Sequence, residues 1–224
     1  MLYINQREYP DMPFPNNVEG GYPAEKQNIL RAGCGICSLC MVVEHLTTKE
    51  LSLPECIGWA VVTRANLRPG TSMVKVAPSV CQKFGLKFSH TSNKEEMLAC
   101  LRRGGRVIVN VANRPDGTPG LFTKGGHYMV LVSADGEQIC FLDPNYSAAY
   151  NEGELKEKRI KIGDNALLRV HLLDVALQRD RMTKRVKIVK LNDNSHIDGV
   201  AALLDALIVK DKWAGDYGRQ LRNE

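Results

Sequence analysis

Three cysteines, Cys34, Cys37 and Cys40, stand three residues apart in the apolar run AGCGICSLCMVV. That spacing admits a metal or cluster site, hydrophobic packing, or a nucleophile. Iron–sulfur clusters take thiolates from irregular backbone with a fourth cysteine close behind, and zinc sites need a second pair of ligands at comparable spacing. Here the residues from Cys34 to about His45 read as one buried helix, and the next cysteine, Cys56, falls in another helical pattern. Cys34 and Cys40 would leave that helix in different directions, so no metal or other cofactor is expected. Cys37, Cys40, Cys56, Cys81, Cys100 and Cys140 read as small buried hydrophobes, the ordinary fate of a free thiol. Cys34 differs from them. It lies between Gly33 and Gly35, where the backbone can turn and be approached closely, and it opens the helix, where the positive end of the dipole favours thiolate over thiol.

A thiolate that performs acyl chemistry needs an imidazole, and the imidazole needs a group that holds its tautomer. Of the five histidines, His45 is too close along the same helix, and His90, His171 and His196 stand in ordinary strand and loop patterns. His127 begins a strand directly after Gly125-Gly126, and Asp143 ends the neighbouring strand in FLDPN. Two antiparallel strands joined by a short hairpin bring such positions together, so Asp143 can take one ring N–H while the other nitrogen meets Cys34.

The elements that must position these groups follow from periodicity. Residues 1–30 are rich in Pro, Asn and Gly and read as an extended arm anchored by Tyr3, Ile4, Tyr9 and Phe14, with the first regular element beginning at Gly33. After the cysteine helix, Ser52 and Pro54 open a second helix, and Thr71 or Ser72 opens a third that stops at Gly85. A strand over Leu86–His90 and a helix capped by Asn93 follow. The period then becomes alternating: Arg106–Ala112, His127–Ala134 and Ile139–Asp143 read as strands, with a tight turn at Asp135-Gly136. Further strands are expected over Arg159–Ile162 and Leu168–Val175. Helices first and antiparallel strands after make the class α+β, with N-terminal helices packed against an antiparallel sheet.

The stretches YINQREYPD, GCGICSLCMVV, GGHYMVLV and LDPN, in that order over roughly residues 1–150, resemble the bacteriocin-leader-processing (double-glycine peptidase-like) branch of the papain-like cysteine peptidases. The resemblance implies a papain-like fold, with Cys34 as nucleophile, His127 as general base and acid, and Asp143 as the orienting residue. It also implies a glutamine that donates to the oxyanion. Gln6 sits in the matching YINQREYPD context, and Gln27, nearer to Cys34 in the chain, competes for the role. Family members commonly carry Pro-Thr after Cys-Gly where this chain has Ile36-Cys37, a change that bears on helix packing. The implied activity is hydrolysis of a peptide or related amide bond. A catalytically silent peptide-binding module and a transglutaminase-like acyl transferase use the same residue types.

Composition sets the bounds. The 224 residues suffice for one substantial domain, placed at 1–177, with 44% hydrophobic and 25% charged residues as in ordinary globular chains. The net charge of +5 is scattered, and no stretch has the basic and aromatic interleaving of a nucleic-acid surface, so a peptide or protein substrate is the expected partner. MLYINQREYPDMPFP carries charges and prolines where a signal peptide needs an apolar core, and no run reaches membrane-span length. A cytoplasmic setting with reduced thiols is expected. From Gln178 the chain turns to QRDRMTKRVK, a charged linker, and then to NSHIDGVAALLDALIV. In that last stretch Ser195 and Asp198 can cap an amphipathic helix bearing Ile197, Val200, Ala201, Leu204 and Ile208. This tail resembles the end of phage terminase large subunits. Asp198 stands without the companion carboxylates that two-metal nuclease chemistry needs, so the tail reads as a docking or capping helix.

Overall fold

A computed structural model describes residues 1–17, 23–67, 70–111, 122–123, 125–135, 138–154, 160–161, 167–171 and 205–212. Among them, helices α1 (Ile29–Ala32), α2 (Cys34–Leu46), α3 (Leu53–Val62), α4 (Met73–Phe84) and α5 (Lys94–Arg102) precede most of the sheet. The short strands β1 (Asn66–Leu67) and β2 (Gly70–Thr71) form a ribbon of their own. The main strands are β3 (Leu86–Thr91), β4 (Arg106–Val111), β5 (His127–Asp135), β6 (Gln138–Leu142), β7 (Ile160–Lys161), β8 (Leu167–His171) and β9 (Asp205–Lys212). They pair in the order β3-β9-β4-β5-β6-β8-β7, every pair antiparallel. The class is α+β.

The local chemistry explains the boundaries. Ser52 Oγ accepts from the Glu55 N–H and Pro54 sits in the first turn of α3, where its missing donor costs nothing. Gly85, at φ 69°, closes α4 in the left-handed conformation that a side chain disfavours. Asn93 caps α5 by accepting from the N–H of Glu95. Three single-turn helices precede Gly33, where the first regular element is expected: 3-10 turns at Gln6–Glu8 and Ala24–Lys26, and α1, which Asn28 Oδ1 caps by accepting from the Arg31 N–H.

Helices cover the sheet on both sides. Ile108, Val130 and Leu142 lie opposite one another across β4, β5 and β6 and pack into the core with α2, α3 and α4. Their neighbours Val107, Val109, Met129, Leu131 and Phe141 point the other way, into a second core closed by Met97, Leu98 and Leu101 of α5. This two-sided burial is why RVIVNV reads as an almost unbroken apolar run. Along the front, the arm lies as expected, with Phe14 and Ile4 buried. It is zipped to the chain before α2 by Ile29 N–H to Met12 O (3.0 Å) and Phe14 N–H to Gln27 O (2.8 Å).

One expectation is overturned. The end of the expected amphipathic C-terminal helix, at Ile208, is instead β9, a strand over Asp205–Lys212 inserted between β3 and β4. The run ALIV is as compatible with a strand as with a helix. Two strand edges with unpaired N–H and C=O groups supply ladder partners that an isolated helix lacks. Part of the 178–224 segment therefore belongs to the main sheet. Residues 178–204, including Ser195 and Asp198, lie outside the described residues. Among the described residues no helix is long and apolar enough to cross a membrane.

Two glycines show how tightly α2 is seated. A Cβ on Gly35 would lie 2.9 Å from Thr71 Cβ of β2, whereas one on Gly58, on the open face of α3, would meet nothing within 4 Å. Gly35→Ala should therefore lower stability by about 1–3 kcal/mol through overpacking, although alanine is the better helix former by about 1 kcal/mol. Gly58→Ala should raise it, by up to about 1 kcal/mol. Urea midpoints at constant slope read both signs; a gain from both substitutions would show that the contact with Thr71 is not close.

Candidate active site

Cys34 is the first residue of α2 and is half-buried, whereas Cys37 and Cys40, one and two turns on, are wholly enclosed by the core. Cys56, Cys81 and Cys100 are also buried, and Cys140 is partly exposed. Burial by itself pushes the Cys34 thiol up. A hydrogen bond to His127, the charge of that ring, and the backbone N–H groups of Tyr128 and Gly35 outweigh it and bring Cys34 below its ordinary 9.0. The dipole of a 13-residue helix acts in the same sense. Cys37 goes the other way: burial first, then neighbouring thiols, hold it well above the usual thiol range. Of the three cysteines in the run, Cys34 is thus the one whose surroundings favour the thiolate form.

His127 opens β5 and is 6% exposed; Asp143 follows β6 and is 3% exposed. The ring donates from Nε2 to Asp143 Oδ1 at 2.7 Å, which leaves Nδ1 for Cys34. Burial disfavours the imidazolium, but the charge and hydrogen bond of Asp143, followed by those of Cys34, raise His127 to about 10. Register accounts for the meeting. Ser133 faces Cys140 but Leu131 faces Phe141, so Val132 is an extra residue on β5. Beyond this bulge Val130 faces Leu142, and continuing that register sets Asp143 opposite Met129, on the same side of the sheet as His127. In the register before the bulge, Asp143 would face Val130 and point to the other side.

The N-terminal arm then grips the turn that carries the carboxylate. The Tyr3 hydroxyl donates to Asp143 O (2.8 Å), Gln6 N–H to Pro144 O (2.6 Å), Arg7 Nη1 to Asn145 Oδ1 (3.3 Å) and Asn5 Nδ2 to Tyr146 O (3.2 Å). Within the turn, the Asn145 N–H donates to Asp143 Oδ1 at 2.8 Å. Gln6 is 5% exposed and also donates from Nε2 to Leu30 O (2.7 Å). It therefore joins the chain just before Cys34 to the chain just after Asp143. The nitrogen must face Leu30, since two carbonyl oxygens do not approach to that distance, and the amide carries a second N–H besides. Gln27 is placed otherwise: its Oε1 accepts from the Asn16 N–H at 3.1 Å and its backbone binds Phe14, so it pins the arm.

The remaining histidines stand apart. His45 donates from Nε2 to Leu2 O (2.7 Å) and accepts from Arg106 Nε at Nδ1 (3.4 Å). Burial first, then the Arg106 charge, outweigh the bond to Leu2 and lower it to about 4, so this ring is neutral. His90 is exposed on β3, His171 ends β8 opposite Gln138, and His196 falls outside the described residues. At the triad, a cleft of about 300 Å3 opens between Arg7, Phe122, Thr123, His127, Asp143, Asn145 and Tyr150. Arg7 and the polar turn after Asp143 are the components that reading the sequence missed. The only signal for them was the polar sequence NQR in the middle of an otherwise anchoring arm.

Because Tyr3 acts on the triad through Asp143, Tyr3→Phe should cost about 1 kcal/mol of stability. It should also move the pH midpoint of Cys34 alkylation upward, as a looser carboxylate supports the imidazolium less. A stability loss with an unmoved midpoint would make Tyr3 a purely structural residue. No family model and no curated protein matches this chain.

Proposed function

We propose that the protein is a cysteine peptidase or amidase of papain-like architecture. The observation that carries this reading is the chain of contacts from Cys34 at the start of a buried helix, through His127, to Asp143 at 2.7 Å. A sheet-packed helix that presents the thiol, with the two partners at adjoining strand ends, supports the papain-like arrangement.

The steps follow from the charges. The Cys34 thiolate attacks the substrate carbonyl carbon and forms a C–S bond, while negative charge gathers on the carbonyl oxygen. N–H groups at the start of α2 and the second N–H of Gln6 are suited to receive it. His127, charged through Asp143, gives its Nδ1 proton to the departing nitrogen as the C–N bond breaks. Neutral His127 next takes a proton from water, whose oxygen attacks the thioester; the C–S bond breaks and the acid leaves. Asp143 stays ionised throughout and holds the ring.

Cys34→Ala should abolish turnover of a quenched fluorescent peptide pool, whereas Cys37→Ala and Cys40→Ala should cost only stability, about 1 kcal/mol each. Equal loss of chemistry from all three would discard the assignment of Cys34. Adding an amine nucleophile and analysing products separates hydrolysis from acyl transfer.

The pH dependence has a definite sign. The active pair is thiolate with imidazolium, so iodoacetamide should label Cys34 below pH 9.0, where Cys37 and Cys81, both raised by burial, stay unreactive. Activity should fall again as His127 loses its proton near pH 10. Asp143→Asn, which removes the charge that supports the imidazolium, should bring that alkaline limb down. An alkaline limb that ignores Asp143→Asn would rule out the proposed role of the carboxylate.

A further inference from the structure

The cleft beside the triad holds a charge that the hydrolytic steps do not use. Arg7 is exposed and lines its rim, where Nη1 donates to Asn145 Oδ1 at 3.3 Å. A guanidinium carries five N–H donors, and the bond to Asn145 engages one. Among the described residues lining the cleft, the other cation is His127, whose charge is already answered by Asp143 and Cys34. Phe122, edge-on to Phe141 with centroids 5.4 Å apart, forms an apolar wall, and Thr123 and Tyr150 contribute polar groups.

Chemistry says which part of a substrate enters. His127 hands its proton to the departing nitrogen, so the leaving portion must lie on the imidazole side of the sulfur. The cleft is lined by the imidazole and by Asp143 and not by the thiol, so it lies on the imidazole side of the sulfur. A planar donor fork, bonded to an amide and, among the described residues, with no carboxylate against it, suits a carboxylate or a phosphate, and of these a peptide's leaving portion carries the carboxylate. We infer, resting on the peptidase reading, that this cleft receives the leaving portion of the substrate and that Arg7 selects a carboxylate there. An acidic side chain next to the cut bond and the free C-terminus of a chain cut near its end are the two sources of that group.

Two measurements test this separately from the peptidase reading. The first compares alkylation of Cys34 by iodoacetate and by the neutral iodoacetamide, which needs only a reactive thiol. The rate ratio of acid to amide should fall roughly fivefold in Arg7→Gln and should shrink at high salt in the wild-type protein, as expected of a partly exposed charge pair. The second uses peptide pairs that differ only as Glu against Gln after the cut, or as free acid against C-terminal amide. The wild-type preference for the acid should be about tenfold in kcat/KM and should collapse in Arg7→Gln. The pair that loses its preference identifies the source. Peptide turnover with both ratios unaffected by Arg7→Gln overturns the inference and leaves the peptidase reading standing. A fall in the alkylation ratio with no peptide turned over does the reverse. Arg7→Lys, which keeps charge but loses the fork, should retain the alkylation ratio better than the peptide preference.

Discussion

An imidazole held away from water between a thiol and a carboxylate is the arrangement on which the rest of the molecule depends. Burial opposes the charged form of every member of the set, so each is tolerable only while its neighbour stays within hydrogen-bond distance. His127 and Asp143 are almost fully enclosed and 2.7 Å apart. Removing one partner of such a pair commonly costs about 3–5 kcal/mol, because the remaining charge is left buried and unanswered. Three remote stretches of chain must therefore be held in register with one another.

Several parts of the fold serve that demand. Helix α2 is fixed by a core that reaches across β4, β5 and β6, and by the approach of Thr71 to Gly35. Gly33, whose hypothetical Cβ would lie 2.6 Å from Ile29 O, lets α1 run into α2 with little intervening chain, and so sets the sulfur at the mouth of the helix. The carboxylate sits just beyond the end of β6, where a turn would otherwise be free to open. The arm residues Tyr3, Asn5, Gln6 and Arg7 bond to the four consecutive residues from Asp143 to Tyr146 and hold it shut. An arm that looks like a peripheral strap is thus part of the site's framework, and the same segment brings Arg7 to the cleft beside His127.

Much of this was readable from the chain. The alternating runs from Arg106 onward and the periodic apolar helices before them are strong local signals, since burial of one face or both imposes the pattern directly. Caps at Ser52 and Asn93 and the stop at Gly85 were legible because each satisfies a backbone requirement within a few residues. The pairing of Cys34 with His127 and Asp143 was also accessible, since glycines around Cys34 and before His127 mark places where backbone is open. The strand β9 was not accessible. ALIV fits helix or strand equally well, and the choice rests on edges presented by β3 and β4, more than a hundred residues away for β3.

By itself, then, the sequence determined the residue types of the site, the helix that carries the thiol, and the strands that carry its partners, because these follow from short-range periodicity and backbone sterics. It left open which glutamine attends the site. In the fold, Leu30 and Pro144, two carbonyls far apart in the chain, both accept from Gln6, whereas Gln27 bonds within the arm. It also held no sign of the extra residue at Val132, yet that single slip of register turns Asp143 to the face of His127. Side chains alternate at every strand position, so a shift of one residue changes which groups can meet, and only long-range packing selects among such shifts.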